Sequence, residues 1–180
     1  MRRALAAAVL STVLVACGYR FTAGGGPLPG GARTLFVPVF RNASAEPGLE
    51  GPFTDAFRQE LARAGREGGE LSDAVAVGEI VSVVGGPVIF TNSFNDAGVP
   101  LPAATAAYQV QATVVVRVLK GGVQIAETKV MGGEDYLPRL DVTANALATG
   151  VLEAEANRRM ALRRLAGVLM RQAYQNLCGF

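Results

Sequence analysis

A chain of 180 residues is long enough for one ordinary domain whose core needs no metal or disulfide staple. Half of the residues are hydrophobic and 18% are charged, with 22 Gly and 9 Pro scattered among them, which is too apolar for a disordered tail and too interrupted for a polytopic membrane protein. Histidine is absent, which excludes Ser-His-Asp and Cys-His catalysis and every His-containing zinc site, and 17 basic against 15 acidic residues leave no cationic excess of the kind a generic nucleic-acid binder carries.

At the N-terminus Arg2 and Arg3 precede an uncharged run, Ala4 to Ala16. At roughly thirteen residues this run is short for a transmembrane span and has the length of the apolar region of a secretory signal. It ends in Leu14-Val15-Ala16-Cys17. One reading is a plain signal peptide with a small-residue cleavage site. The other is that Leu14 and Ala16 before Cys17 resemble the lipobox of bacterial lipoprotein processing, and the complete basic, apolar and cleavage order favours it. Residues 1–16 are then the signal, and Cys17 is the acylated N-terminus, carrying chains such as palmitate. Several chains give stable attachment, since each buried methylene contributes about 0.8 kcal/mol. Gly18 follows Cys17, where an Asp marks inner-membrane retention, so the expected destination is the outer membrane. Loss of Arg2 and Arg3 leaves the remaining chain formally neutral, and Cys178 is left as a buried or idle thiol.

Residues 17–33 contain Gly24-Gly25-Gly26-Pro27 and Pro29-Gly30-Gly31 and read as a tether, with a single α/β domain over 34–180. Thr34 to Phe40 reads as a strand that Pro38 confines to an edge or ends early. Gly51-Pro52 opens a helix with Phe53, Phe57, Leu61 and Ala64 on one stripe and Gly65 as its stop. Val75, Val77, Val81 and Val83 alternate as in a strand, and a long turn-rich stretch runs from Gly85 to Pro102. From Thr105 to Lys120, Tyr108, Val110, Ala112, Val114, Val116 and Val118 face one way, and Gln109, Gln111, Thr113 and Arg117 the other. Gly121-Gly122 predicts a two-residue hairpin returning through Val123 and Ile125 to Val130. A long helix lies between about Asn145 and Leu177, with its start placed after Gly150 by the helix cost of glycine; Leu162, Leu165, Ala166, Leu169, Ala173 and Leu177 form its stripe. The order β-α-β-β-β-α predicts an α/β (α+β) two-layer sandwich, two helices packed on one face of a mixed four-stranded sheet.

No catalytic constellation emerges. Glu134-Asp135 point to opposite faces of a strand, and Glu153 with Glu155 sits where a helix start favours negative charge. The Gly-rich runs precede the first strand and lack the Gly-Lys-Ser/Thr of a phosphate loop. The arginines of the last helix read as a solvated face, with anion binding as the sharper alternative. The protein is expected to be no enzyme and to use no metal or cofactor.

Cys17-Gly18-Tyr19-Arg20-Phe21, then Thr34 to Asn42, then Glu46-Pro47-Gly48-Leu49-Glu50 and Phe53 to Leu61, resemble the LptE-type lipopolysaccharide-assembly lipoproteins of the Gram-negative cell envelope. The resemblance implies a small α/β sandwich lipid-anchored on the periplasmic side of the outer membrane, seated in the lumen of an LptD-type β-barrel as plug and assembly partner. It also implies a role in lipopolysaccharide transport, with lipopolysaccharide as a ligand. The family's basic ligand-binding loop residues have no counterpart in Phe90 to Ala104, which contains Asp96 and no Lys or Arg, so no lipopolysaccharide-binding residue is assigned. The candidate contacts are Gln109, Thr113 and Arg117 on the sheet's open face, and Phe90, Phe94 and Leu101 in the turn-rich segment, which either anchor on a partner or tuck onto the domain's own sheet edge. The alternative function is a periplasmic adaptor or activator lipoprotein of a cell-envelope synthase or transport system.

Overall fold

The computed structural model describes residues 26–91, 104–137 and 147–179. A mixed sheet carries two helices on one face, as the pattern of the sequence predicts. In chain order the elements are β1 (Leu35–Phe36), β2 (Arg41–Asn42), α1 (Glu50–Arg63), β3 (Glu67–Gly68), β4 (Ala74–Thr91), β5 (Ala104–Lys120), β6 (Val123–Tyr136) and α2 (Leu147–Leu177). Across the sheet they run β3-β1-β4-β5-β6, with β2 also on β4. The chain passes from β1 through α1 to β4 in parallel, and β4, β5 and β6 then form an antiparallel meander.

The sheet has six strands rather than four because the first strand breaks at Pro38 and a short β3 pairs with β1. Proline offers no N–H to a ladder. Between the two pieces α1 supplies the missing partners: the Thr54 hydroxyl accepts from the Phe40 N–H at 2.9 Å, and the Arg58 Nε donates to the Val37 carbonyl at 3.0 Å. Val37 and Phe40 are buried there against the helix stripe Phe53, Phe57 and Leu61. The helix stops where expected. Gly65 lies at φ +65, its N–H reaches the Ala62 carbonyl and the Arg66 N–H reaches Leu61, a paired closure of the last turn that only a left-handed residue permits.

β4 buries its small residues. Ala74, Ala76, Gly78 and Ile80 face the helices, while Val75 and Val77 lie on the open face. A register shift between Ile80 and Ser82 then exposes Val81 and returns Val83 to the core. Part of the expected turn-rich stretch is also strand: β4 continues through Gly85-Gly86-Pro87 to Thr91, and shifts around Pro87 and Ile89 absorb the proline while β5 pairs alongside. In β5 the inward set is as read, with Val110, Ala112, Val114, Val116 and Val118 buried. Gly121 and Gly122 take φ of 58 and 81, the hand a two-residue hairpin turn needs, and β6 runs on to Tyr136 rather than stopping near Val130.

α2 begins at Leu147, so Gly150 lies inside the helix rather than before it. The cost of one glycine is small against the burial of Leu162, Leu165, Ala166, Leu169, Ala173 and Leu177 in the core. The end of the Gly/Pro-rich segment belongs to the domain as well: Leu28 and Ala32 are buried, and Gly26 lies against the backbone of Cys178. Cys178 is a free, buried thiol.

Candidate functional site

With both helices on one side, the other face of β4, β5 and β6 is left uncovered by any described element. Alternation along β5 brings Gln109, Thr113 and Arg117 onto this face, as their spacing predicts. Register sets their neighbours. Arg117 stands between Val77 and Glu127, Thr113 between Ser82 and Met131, and Gln109 between Gly86 and Asp135.

Arg117 joins three strands: its Nε lies 2.8 Å from Glu127 and its Nη1 3.2 Å from Glu79. The hydrogen bond to Glu127, then that to Glu79, raises the guanidinium pKa above its ordinary value. Towards the far end of the face, Gln109 Nε2 donates to Asp135 at 2.8 Å, and Gln111 Nε2 donates to Gln109 Oε1. Around these polar groups Val84, Val88 and Met131 are exposed, Met131 to 70%. The face is thus polar with an apolar fringe, and its one arginine is held between two carboxylates.

Of the other candidate contacts, Phe90 lies within β4 and pairs with Thr105, so the ladder accounts for its backbone. Phe94 and Leu101 lie outside the described residues, as do Leu14, Ala16 and Cys17. No cluster of metal-ligating residues occurs among the described residues. No helix among them is long and apolar enough to cross a membrane.

The arginines of α2 are largely structural. Arg158 grips Glu46 through both nitrogens, with Nη2 at 2.6 Å from Oε2, while Arg159 pairs with Glu155, Arg164 with Glu134 and Arg171 with Glu60. The Arg158 hydrogen bond holds the Glu46 carboxyl below its ordinary value, against the opposing effect of burial. Glu46 is presented by a loop that Asn42 organises, its Oδ1 accepting from the Ser44 N–H at 3.0 Å and its Nδ2 donating to the Glu46 carbonyl at 2.6 Å. Gly48 at φ +79 then turns the chain so that Leu49 is buried ahead of α1. The sequence signalled Glu46 to Glu50 as a motif but not its mate, which is 112 residues away. Beside this clamp a hollow of about 450 Å³ opens between the loop and α2, lined by Pro47, Leu49, Pro52, Leu162, Arg159 and Arg163.

The sequence model of the LptE family, described as lipopolysaccharide-assembly, matches residues 32–177. The chain belongs to this family. The match spans every strand and both helices, including the Glu46 clamp and the open face, and places the protein in lipopolysaccharide assembly. Among solved structures, it is similar to a lipoprotein from Caulobacter crescentus (15% identity, 77% of this chain and 87% of that one, TM-score 0.48). It is also similar to rare lipoprotein B from Shewanella oneidensis (15% identity, 77% and 92%, TM-score 0.42) and to lipoprotein B from Nitrosomonas europaea (16% identity, 90% and 94%, TM-score 0.43). No curated protein matches the chain.

Proposed function

We propose that this LptE-family protein is an outer-membrane lipoprotein, anchored through Cys17 on the periplasmic side, that fills the lumen of an LptD-type β-barrel, supports the barrel's assembly and so contributes to lipopolysaccharide insertion into the outer leaflet. It acts by binding and templating, not by catalysis. The observation that carries the reading is the uncovered sheet face. A barrel lumen is polar, and a plug must meet it over a broad area without burying unpaired charge. Gln109, Gln111 and Thr113 give such a face, and its arginine is already paired within the domain, by Glu79 and Glu127.

The anchor geometry is compatible. Gly26 lies at the α2 C-terminal end of the domain beside Cys178, and the nine residues from Cys17 to Gly25 reach about 30 Å at full extension.

The test is co-purification. Extraction of the full lipidated chain from its native membrane in mild detergent should retain a large β-barrel protein in stoichiometric amount. Single alanine changes at Gln109, Thr113 or Arg117 should leave the complex intact, and the three together should weaken it. Recovery of the chain with a soluble synthase or transport component and no barrel would favour the adaptor reading instead.

A further inference from the structure

β6 forms one edge of the sheet and pairs on its outer side with no described strand. On the opposite side β3 is only two residues long, and the stretch of β4 beyond β2, Val81 to Thr91, carries Pro87 and register shifts around it and Ile89, which spoil it as a pairing edge. β6 by contrast has 14 residues and keeps regular register from Ala126 to Tyr136. Long regular edges are ordinarily blunted by proline, bulges or inward charges. Over this stretch β6 has neither proline nor bulge, and its one inward charge, Glu134, is taken up by Arg164.

Exposed apolar groups stand beside the edge between its charges. On the open-face side Met131 is 70% exposed. On the helix side α2 runs beneath β6, with Leu165 and Leu169 under Gly132 and Arg164 on Glu134. Met160 and Val168, four residues either side of Arg164, fall on the same flank of the helix and are 50% and 56% exposed. Met131 on one side and Met160 and Val168 on the other therefore flank the strand with exposed apolar side chains. Lys129 makes no ion pair among the described residues and stands at the near end of this stretch on the open face.

We propose that the outer edge of β6 over Lys129 to Tyr136 takes up an extended segment of the barrel protein as an added strand, a contact that rests on the plug reading given above. Unpaired edge amides and carbonyls demand a strand as occupant. A second copy of this chain does not fit: antiparallel pairing of two β6 edges sets the strands about 4.8 Å apart, and each carries an α2 beneath it, whereas packed helices need about 8–10 Å between axes. The wall of a closed barrel does not fit either, since its strands have no free edge. The occupant is therefore a segment of the barrel protein outside the closed wall, a luminal loop or terminal stretch. It carries apolar residues against Met131 and against Met160 and Val168, and an acidic residue opposite Lys129.

The experiment uses the full lipidated chain, alone in detergent and co-purified with the barrel protein. Hydrogen exchange should show alternate amides of β6 between Lys129 and Tyr136 slowed by about tenfold or more in the complex, since the other set is already bonded to β5. Photo-crosslinking residues at 129, 131 and 135 should mark one barrel segment at positions two and then four residues apart. Met131→Lys with Val168→Lys, both at exposed sites, should abolish this protection while leaving the helical circular dichroism unchanged. A complex that forms with β6 exchange unaltered, with crosslinks scattered over unrelated segments, or with protection surviving the double substitution overturns the added strand and leaves the plug standing. Failure of any complex to form overturns both.

Discussion

Gly78 is where the core has least room. It lies on the helix-facing side of β4, and a Cβ there would stand 2.2 to 2.3 Å from three atoms of the Phe40 ring. The ring has nowhere to retreat. Phe40 is 2% exposed, it meets Phe57 at 6.0 Å between centroids, and its backbone N–H is fixed by Thr54. Forcing a methyl into such a site typically costs about 1–3 kcal/mol, and replacing glycine in a strand returns about 0.5–1 kcal/mol of conformational entropy. Gly78→Ala should therefore destabilise by about 1–2 kcal/mol, and with a urea dependence of about 2 kcal/mol per molar its unfolding midpoint should fall by about 0.5–1 M. Gly86→Ala, whose Cβ would meet nothing within 4 Å, is the control and should leave the midpoint unchanged or slightly raised. Adding Phe40→Leu to Gly78→Ala should cost less than Phe40→Leu costs alone, because the clash goes with the ring. Equal midpoints for Gly78→Ala and Gly86→Ala would refute the packing argument.

Leu169→Ala removes a 1% exposed side chain from the α2 stripe and should cost about 2–5 kcal/mol by thermal or urea unfolding, as should Leu165→Ala. Glu46→Gln weakens the clamp on Arg158 and should cost about 1 kcal/mol at pH 7. Because the folded Glu46 pKa lies below its ordinary value of 4.5, the clamp's contribution is fully present above that value and is lost as pH falls through the lowered one, so the difference between wild type and Glu46→Gln should shrink in acid. Cys17→Ala should abolish fatty-acid labelling and leave a longer precursor that does not fractionate with the outer membrane; unchanged labelling would refute the anchor assignment.

The parts of the fold legible in sequence are those whose signal is local. β5 alternates from Tyr108 to Val114, α2 repeats leucine and alanine at helical spacing, and Gly65 and Gly121-Gly122 sit where only left-handed backbone serves. The parts that were not legible depend on distant partners. Which face of β4 turns inward is decided by Phe40 and α1, which require Gly78 and the alanines beneath them, so the more hydrophobic valines lie outward. Gly85 to Thr91 has turn composition but is held straight by β5, and Pro38 breaks the first strand without ending it because Thr54 and Arg58 carry the chain across to β2. At the candidate site, spacing alone placed Gln109, Thr113 and Arg117 together. The ion pairs that neutralise Arg117 came from β4 and β6, 38 and 10 residues away in the chain.

On the plug reading the uncovered sheet face meets a barrel wall. Photo-crosslinking residues placed singly at 109, 113 and 117 in the full chain, expressed in its native envelope, test this most directly. All three positions should crosslink to one β-barrel protein, at residues that face its lumen. Crosslinks from these positions to a soluble periplasmic protein, or none from any of them while the chain remains anchored in the outer membrane, would contradict it.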